Sequence, residues 1–131
     1  MSPAPTEDVV RRVVATYIRA GECQDPDLIV SVFTPTATYH ERVLEEPIRD
    51  ASGIRRYWQA KVVEQQDNIE VVLVNLYLDG ATAIAEWEAR VDDLVDGERK
   101  LMREVALLEF DGDRICVLRE YRASRRLGGL G

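Results

Sequence analysis

Five side chains have the chemistry to move a proton or hold a charge within otherwise apolar runs: Tyr17, His40, Glu41, Glu104 and Glu120. Tyr17 lies on a stripe with Val10, Val13, Val14 and Ile18, spaced as on one face of a helix. A phenol ordinarily ionises near about 10, which suits hydrogen-bond donation to a carbonyl or enolate oxygen better than base work. His40 is the only histidine, and imidazole is the side chain best matched to proton transfer near neutral pH. Extended backbone sends His40 and Glu41 to opposite faces, so one of them enters any pocket there and the register decides which. Glu104 interrupts the row Lys100, Met102, Ala106, Leu108, and Glu120 follows Cys116 and Leu118 on one face of its own run. A carboxylate in an apolar row is costly unless paired, hydrogen-bonded or protonated. Inside a cavity, either glutamate would have a raised pKa and serve as a general acid or base. Against Arg90, Arg103 or Arg119 on the same strands, it is a structural ion pair instead.

The elements that position these residues follow from pattern. Thr6 predicts a helix N-cap with Glu7 and Asp8 in the first turn, and Gly21 predicts its end. Asp25-Pro26-Asp27 starts a second helix whose buried face is Leu28, Ile29, Val32 and Phe33, and Pro35 stops it. A short strand over Ala37–Val43 and a turn at Glu45-Glu46-Pro47 precede a third helix over Ala51–Gln65, capped by Asp50 or Ser52. Four strands in two hairpins occupy Asn68 to Tyr121, turned at Asp79-Gly80 and Asp111-Gly112-Asp113. Helices followed by an antiparallel sheet predict an α+β domain with a cavity between the layers. Tyr57 and Trp58 on the third helix and Trp87 in an alanine-rich strand row are candidate walls, with Met102 and Leu118 beside the strand acids. Trp87 in such a row suits a pocket wall or a packed dimer face. Such walls suit a small apolar or aromatic ligand carrying one or two polar groups.

With 131 residues, a single domain over 6–122 is expected, with flexible tails at 1–5 and 123–131. A formal charge of -7 argues against nucleic-acid binding, and Arg122, Arg125 and Arg126 read as a solvated tail. No run approaches a membrane span and the start lacks a signal-peptide pattern, so a cytoplasmic protein without membrane association is expected. One histidine with scattered carboxylates makes no metal pattern, and no glycine-rich phosphate loop is present; chemistry without metal or cofactor is the economical expectation.

The segments VVATYIRAGECQDPDLIVSVFTPTATYH, IRRYWQAKV and EFDGDRICVLREYR together resemble the SnoaL-like branch of the nuclear transport factor 2-like superfamily. The resemblance spans about Asp8 to Arg122. It implies a cone-shaped α+β barrel with three N-terminal helices, a curved sheet, an apolar pocket and homodimers formed through the outer sheet face. The group includes ketosteroid isomerase, scytalone dehydratase, limonene epoxide hydrolase, polyketide cyclases and non-catalytic binding domains, so fold alone does not fix activity.

Position by position, the isomerase's oxyanion-binding tyrosine matches Tyr17, and its base, counted from Phe33, falls at Glu41 with His40 adjacent. The aspartate of the isomerase's F-x-x-D-A-T pattern is Thr36, and its second oxyanion donor is Ala106, so the full oxyanion hole is absent. The resemblance implies cofactor-free proton transfer on a small carbonyl compound, with Glu41 or His40 as base, Tyr17 at the developing oxyanion, and Glu104 or Glu120 tuning the site. The same cone serves equally as a non-catalytic dimeric binding or scaffolding domain. An epoxide hydrolase would require an acid–arginine–acid cluster inside the cone, where the strands here offer mixed glutamate and arginine rows.

Overall fold

Thr6 opens the first helix, α1 (Glu7–Cys23), by accepting a hydrogen bond from the Val9 amide at 3.2 Å. The computed structural model describes residues 3–131, so Met1 and Ser2 of the expected N-terminal tail lie outside the described residues. Gly21 stays helical, and the chain turns instead at Gln24, whose left-handed backbone has φ 54°. In the second helix, α2 (Pro26–Val30), Asp25 caps the amides of Asp27 and Leu28 at 3.0 Å each. This helix is shorter than its apolar pattern suggested. Phe33 already begins the first strand, β1 (Phe33–His40), a threonine-rich run that favours extended backbone. Pro35 is accommodated there at a shift of register.

A two-residue strand, β2 (Ile48–Arg49), returns antiparallel along β1 and leads into α3 (Asp50–Trp58). Neither Asp50 nor Ser52 caps that helix; Arg49 is the N-cap residue and makes no side-chain bond, while Asp50 takes φ 68°. The expected continuous helix to Gln65 widens after Trp58 into a π-helical turn, Gln59–Val63.

The sheet half follows as β3 (Gln66–Asp79), β4 (Thr82–Asp93), β5 (Glu98–Asp111) and β6 (Arg114–Gly129). The Asp-Gly turns form as predicted, with φ 60° at Gly80 and 65° at Gly112. Strand order is β2-β1-β6-β5-β4-β3, and β1 lies parallel to β6, so the six-stranded sheet is mixed rather than wholly antiparallel. Sequence pattern had no hold on that pairing, because β1 reaches β6 from the helical half instead of through a hairpin. Residues 123–129, expected as a tail, are the far half of β6, paired with β5 from Arg103↔Ala123 to Glu98↔Gly129. The ladder satisfies a glycine-rich backbone whose composition alone looked unstructured.

One face of this sheet is covered by the helices. Val10, Val13, Val14, Ile54 and Trp58 pack against Ala83, Ala85, Ala106, Leu108 and Leu118 in a single core. Burying each such aliphatic side chain contributes roughly 1.5–3 kcal/mol. The fold is thus α+β, three helices on a mixed sheet. No helix among the described residues is long and apolar enough to cross a membrane.

Candidate functional site

Strand alternation builds the site from three rows across β4, β5 and β6: Ala85–Ala106–Glu120, Trp87–Glu104–Arg122 and Ala89–Met102–Ser124. Ala89, the alanine of these rows that lines the cavity, leaves space beside the two acids, while Ala85 and Ala106 are buried in the core. Glu104 and Glu120 are each 6% exposed, the only buried charged side chains among the described residues.

Each acid is held by neutral donors. Tyr39 from β1 donates its hydroxyl to Glu120 Oε1 at 2.7 Å, and Tyr17 from α1 donates to the same oxygen at 3.0 Å. The two hydroxyls are 3.1 Å apart. Trp87 donates its indole N–H to Glu104 Oε2 at 3.1 Å. The Arg122 guanidinium lies between the carboxyls, 3.6 Å from Glu104 Oε1 and 3.8 Å from Glu120 Oε2, beyond hydrogen-bond length to either. Its other terminal nitrogen meets Glu41 Oε1.

Burial pushes the Glu104 carboxyl up to about 7 against the hydrogen bond from Trp87. Burial and the neighbouring Glu104 charge push Glu120 up to about 8 against the bonds from Tyr39 and Tyr17. The two titrate as a pair, and near neutral pH they hold a proton between them beside one arginine. Burial and the Glu120 charge also raise Tyr17 and Tyr39 well above the usual phenol value, so both remain donors.

These groups border a cavity of about 100 Å³ whose apolar walls include Tyr57, Trp58, Trp87 and Met102. It adjoins a polar vestibule of about 340 Å³, with which it shares Lys61, Met102 and Arg122. Trp58, 3% exposed, has a buried indole N–H with no protein acceptor. A ligand oxygen is the kind of group that satisfies such a donor.

Of the residues singled out in the sequence, Tyr17, Glu104, Glu120, Tyr57, Trp58, Trp87 and Met102 line this cavity. Three do not. His40 alternates outward from Tyr39, pairs its ring with the Thr38 hydroxyl at 3.3 Å, and has its pKa lowered by partial burial and by Arg119 and Arg49. Glu41 follows the end of β1 into a bend and lines the vestibule, held by Arg122 and by Arg42 at 3.4 Å. Leu118 is fully buried in the core beside Leu108 and Tyr39, too deep to meet a ligand.

Sequence reasoning missed Tyr39, Arg122 and Lys61. The first two left a signal: Tyr39 alternates with buried Ala37, and Arg122 stands two residues from Glu120 on the same strand face. Ala106, where the isomerase pattern called for an acid, lies directly across from Glu120.

A model of the SnoaL-like domain matches residues 14–118. A search of the curated proteins finds no match. Among solved structures, an LEH-like epoxide hydrolase of M. tuberculosis is similar over 88% of this chain and 84% of its own, with TM-score 0.74 and 19% identity. SalBIII, an epoxide hydrolase/cyclase-like enzyme described in pyran ring formation in the polyether salinomycin, aligns over 89% and 92%, with TM-score 0.77 and 20% identity. A ketosteroid isomerase-like protein of Catenulispora acidiphila, in complex with trimethylamine, aligns over 83% of each chain, with TM-score 0.74 and 17% identity. At such identities the likeness is one of fold.

Proposed function

The chain belongs to the SnoaL-like domain family, and from that premise we propose that its cavity catalyses acid–base opening of an epoxide on a small apolar molecule. The observation that carries this is the Glu104–Arg122–Glu120 cluster, two buried carboxyls flanking one guanidinium inside the fold. One carboxyl, protonated, gives its proton to the epoxide oxygen as the C–O bond breaks. The other, ionised, takes a proton from the attacking water or from a hydroxyl of the ligand itself as the new C–O bond forms. The products are a diol or a cyclic ether, and return of a proton from the second carboxyl to the first resets the site. Tyr17 and Tyr39 fix Glu120, Trp87 fixes Glu104, and Arg122 offsets the single negative charge.

A second reading is isomerisation of a carbonyl compound with Glu120 as base, favoured by the Tyr17 hydroxyl at the cavity wall. It ranks lower because that hydroxyl is engaged by Glu120 and His40 and Glu41 stand apart from it. We further propose that two copies pair through the outer sheet face, where Val72, Tyr77 and Tyr121 are exposed.

The test is turnover of a panel of aliphatic and aryl epoxides and hydroxy-epoxides, with products identified by mass spectrometry in ¹⁸O-labelled water. E104Q and E120Q should each lower kcat/KM at least about 100-fold while remaining folded. Turnover by both variants at the wild-type rate sinks the proposal. Binding without turnover by the wild type points to a non-catalytic binding domain.

A further inference from the structure

Lys61 projects from the π-helical turn after α3, a segment whose irregularity places it on the walls of both the cavity and the vestibule. The other vestibule cations are all matched. Lys100 meets Asp93 at 2.8 Å and also Asp96, Arg122 meets Glu41, and Arg42 stands 3.4 Å from Glu41. Among the described residues, Lys61 is the vestibule cation with no carboxylate within ion-pair distance. An unpaired ammonium at the mouth of a pocket, in a chain of net charge -7, is a local reversal of the molecule's field.

Size makes the same point independently. At about 100 Å³ the inner cavity is smaller than the roughly 150 Å³ that holds a benzene ring, so a drug-sized ligand must extend outward. Its extension meets the vestibule and Lys61.

We propose that Lys61 forms a carboxylate subsite, and that the ligand is an apolar oxygenated molecule bearing one carboxylate. Its apolar end sits between Trp58 and Trp87, and its carboxylate takes the ammonium that the protein leaves unmatched. A single free cation suits one negative charge better than a phosphate dianion. This inference rests on the cavity being the ligand site proposed above, but it concerns recognition rather than turnover.

Both tryptophans of the chain line the cavity, so their intrinsic fluorescence reports occupancy without any chemistry. The probes are hexanoate and its neutral isostere hexanamide, whose narrow alkyl chains suit the small inner cavity, titrated at neutral pH. The carboxylate should bind about tenfold more tightly than the amide, with the preference shrinking as salt rises to about 0.5 M. K61Q should abolish the preference by weakening the acid alone, and K61R should keep it. E120Q should keep it too, even where turnover is lost, which separates failure of this subsite from failure of the catalytic reading. Equal affinity for the two probes, an undiminished preference in K61Q, or no fluorescence response to either probe overturns the assignment.

Discussion

Burial opposes ionisation of Glu120, while two phenols converge on one of its oxygens and favour it. That balance makes Tyr39 a positioning residue with a readable effect. Tyr39→Phe removes the 2.7 Å bond to Oε1, so the Glu120 carboxyl moves further up and the alkaline limb of the kcat/KM profile, where the proton donor is lost, should shift about one pH unit upward. An unmoved limb would mean that Glu120 is not the titrating group. The pair also sets a stability trend. Glu104 and Glu120 stand at about 7 and about 8 in the fold, against about 4.3 in an unfolded chain. Between those limits the folded pair retains protons that the unfolded chain has released, so stability is full below pH about 4.5 and declines as pH rises toward about 8. The loss should amount to several kcal/mol, measured by denaturant melts across that window, and be absent in the double variant E104Q/E120Q. Glu86 and Asp92, lowered by side-chain hydrogen bonds from Asn75 and Asn68 respectively and by their arginine partners, act in the opposite sense, losing their contribution only as pH falls below the usual carboxylate range. A rising stability between pH 5 and pH 8 would contradict the buried-pair account.

The π-helical turn puts Lys61 and Val62 on the cavity wall, and Gln24 is what ties it down. From its left-handed position at the end of α1, Gln24 donates through Nε2 to the carbonyl oxygens of Val62 at 2.8 Å and Gln66 at 2.7 Å. Gln24→Ala loses both bonds and should cost about 1–3 kcal/mol, with faster amide exchange confined at first to residues 59–66. Global exchange acceleration with no local excess would show that Gln24 acts on the whole fold rather than on this turn. Such a device was not legible in the sequence, because a glutamine after a helix end announces no partner forty residues away. The hairpins were legible, since each Asp-Gly pair needs a positive φ that glycine supplies at Gly80 and Gly112. Inward direction of Trp87, Glu104 and Glu120 followed once the registers were known, because period-two alternation had already grouped them with Ala85, Met102 and Leu118. His40, the last residue of β1, alternates outward from Tyr39, and Glu41 lies beyond the strand's end, where alternation no longer constrains the chain.

At the scale of the molecule, the two faces of the sheet carry acids in opposite states. Outside, Arg103 holds Glu86 at 3.1 Å and Glu88 at 2.5 Å, and Arg119 holds Glu109 at 2.6 Å, leaving exposed Val72, Tyr77 and Tyr121 as the apolar remainder. Inside, Arg122 stands off both acids. An outer face with its charges neutralised in place and its apolar side chains unburied suits association with a second copy, whereas the inner face suits a ligand. Each copy carries a net charge of -7, so the two halves of a dimer repel at long range and salt should tighten their pairing. Sedimentation of the wild type should therefore show a dimer that strengthens as salt is raised, and Val72→Glu with Tyr121→Glu should yield a folded monomer. Lys61 recognition of a carboxylate has the opposite salt dependence, so the two interactions separate in one titration series. A wild type that sediments as a monomer at every salt concentration would remove the outer face from the argument and leave the inner site standing alone.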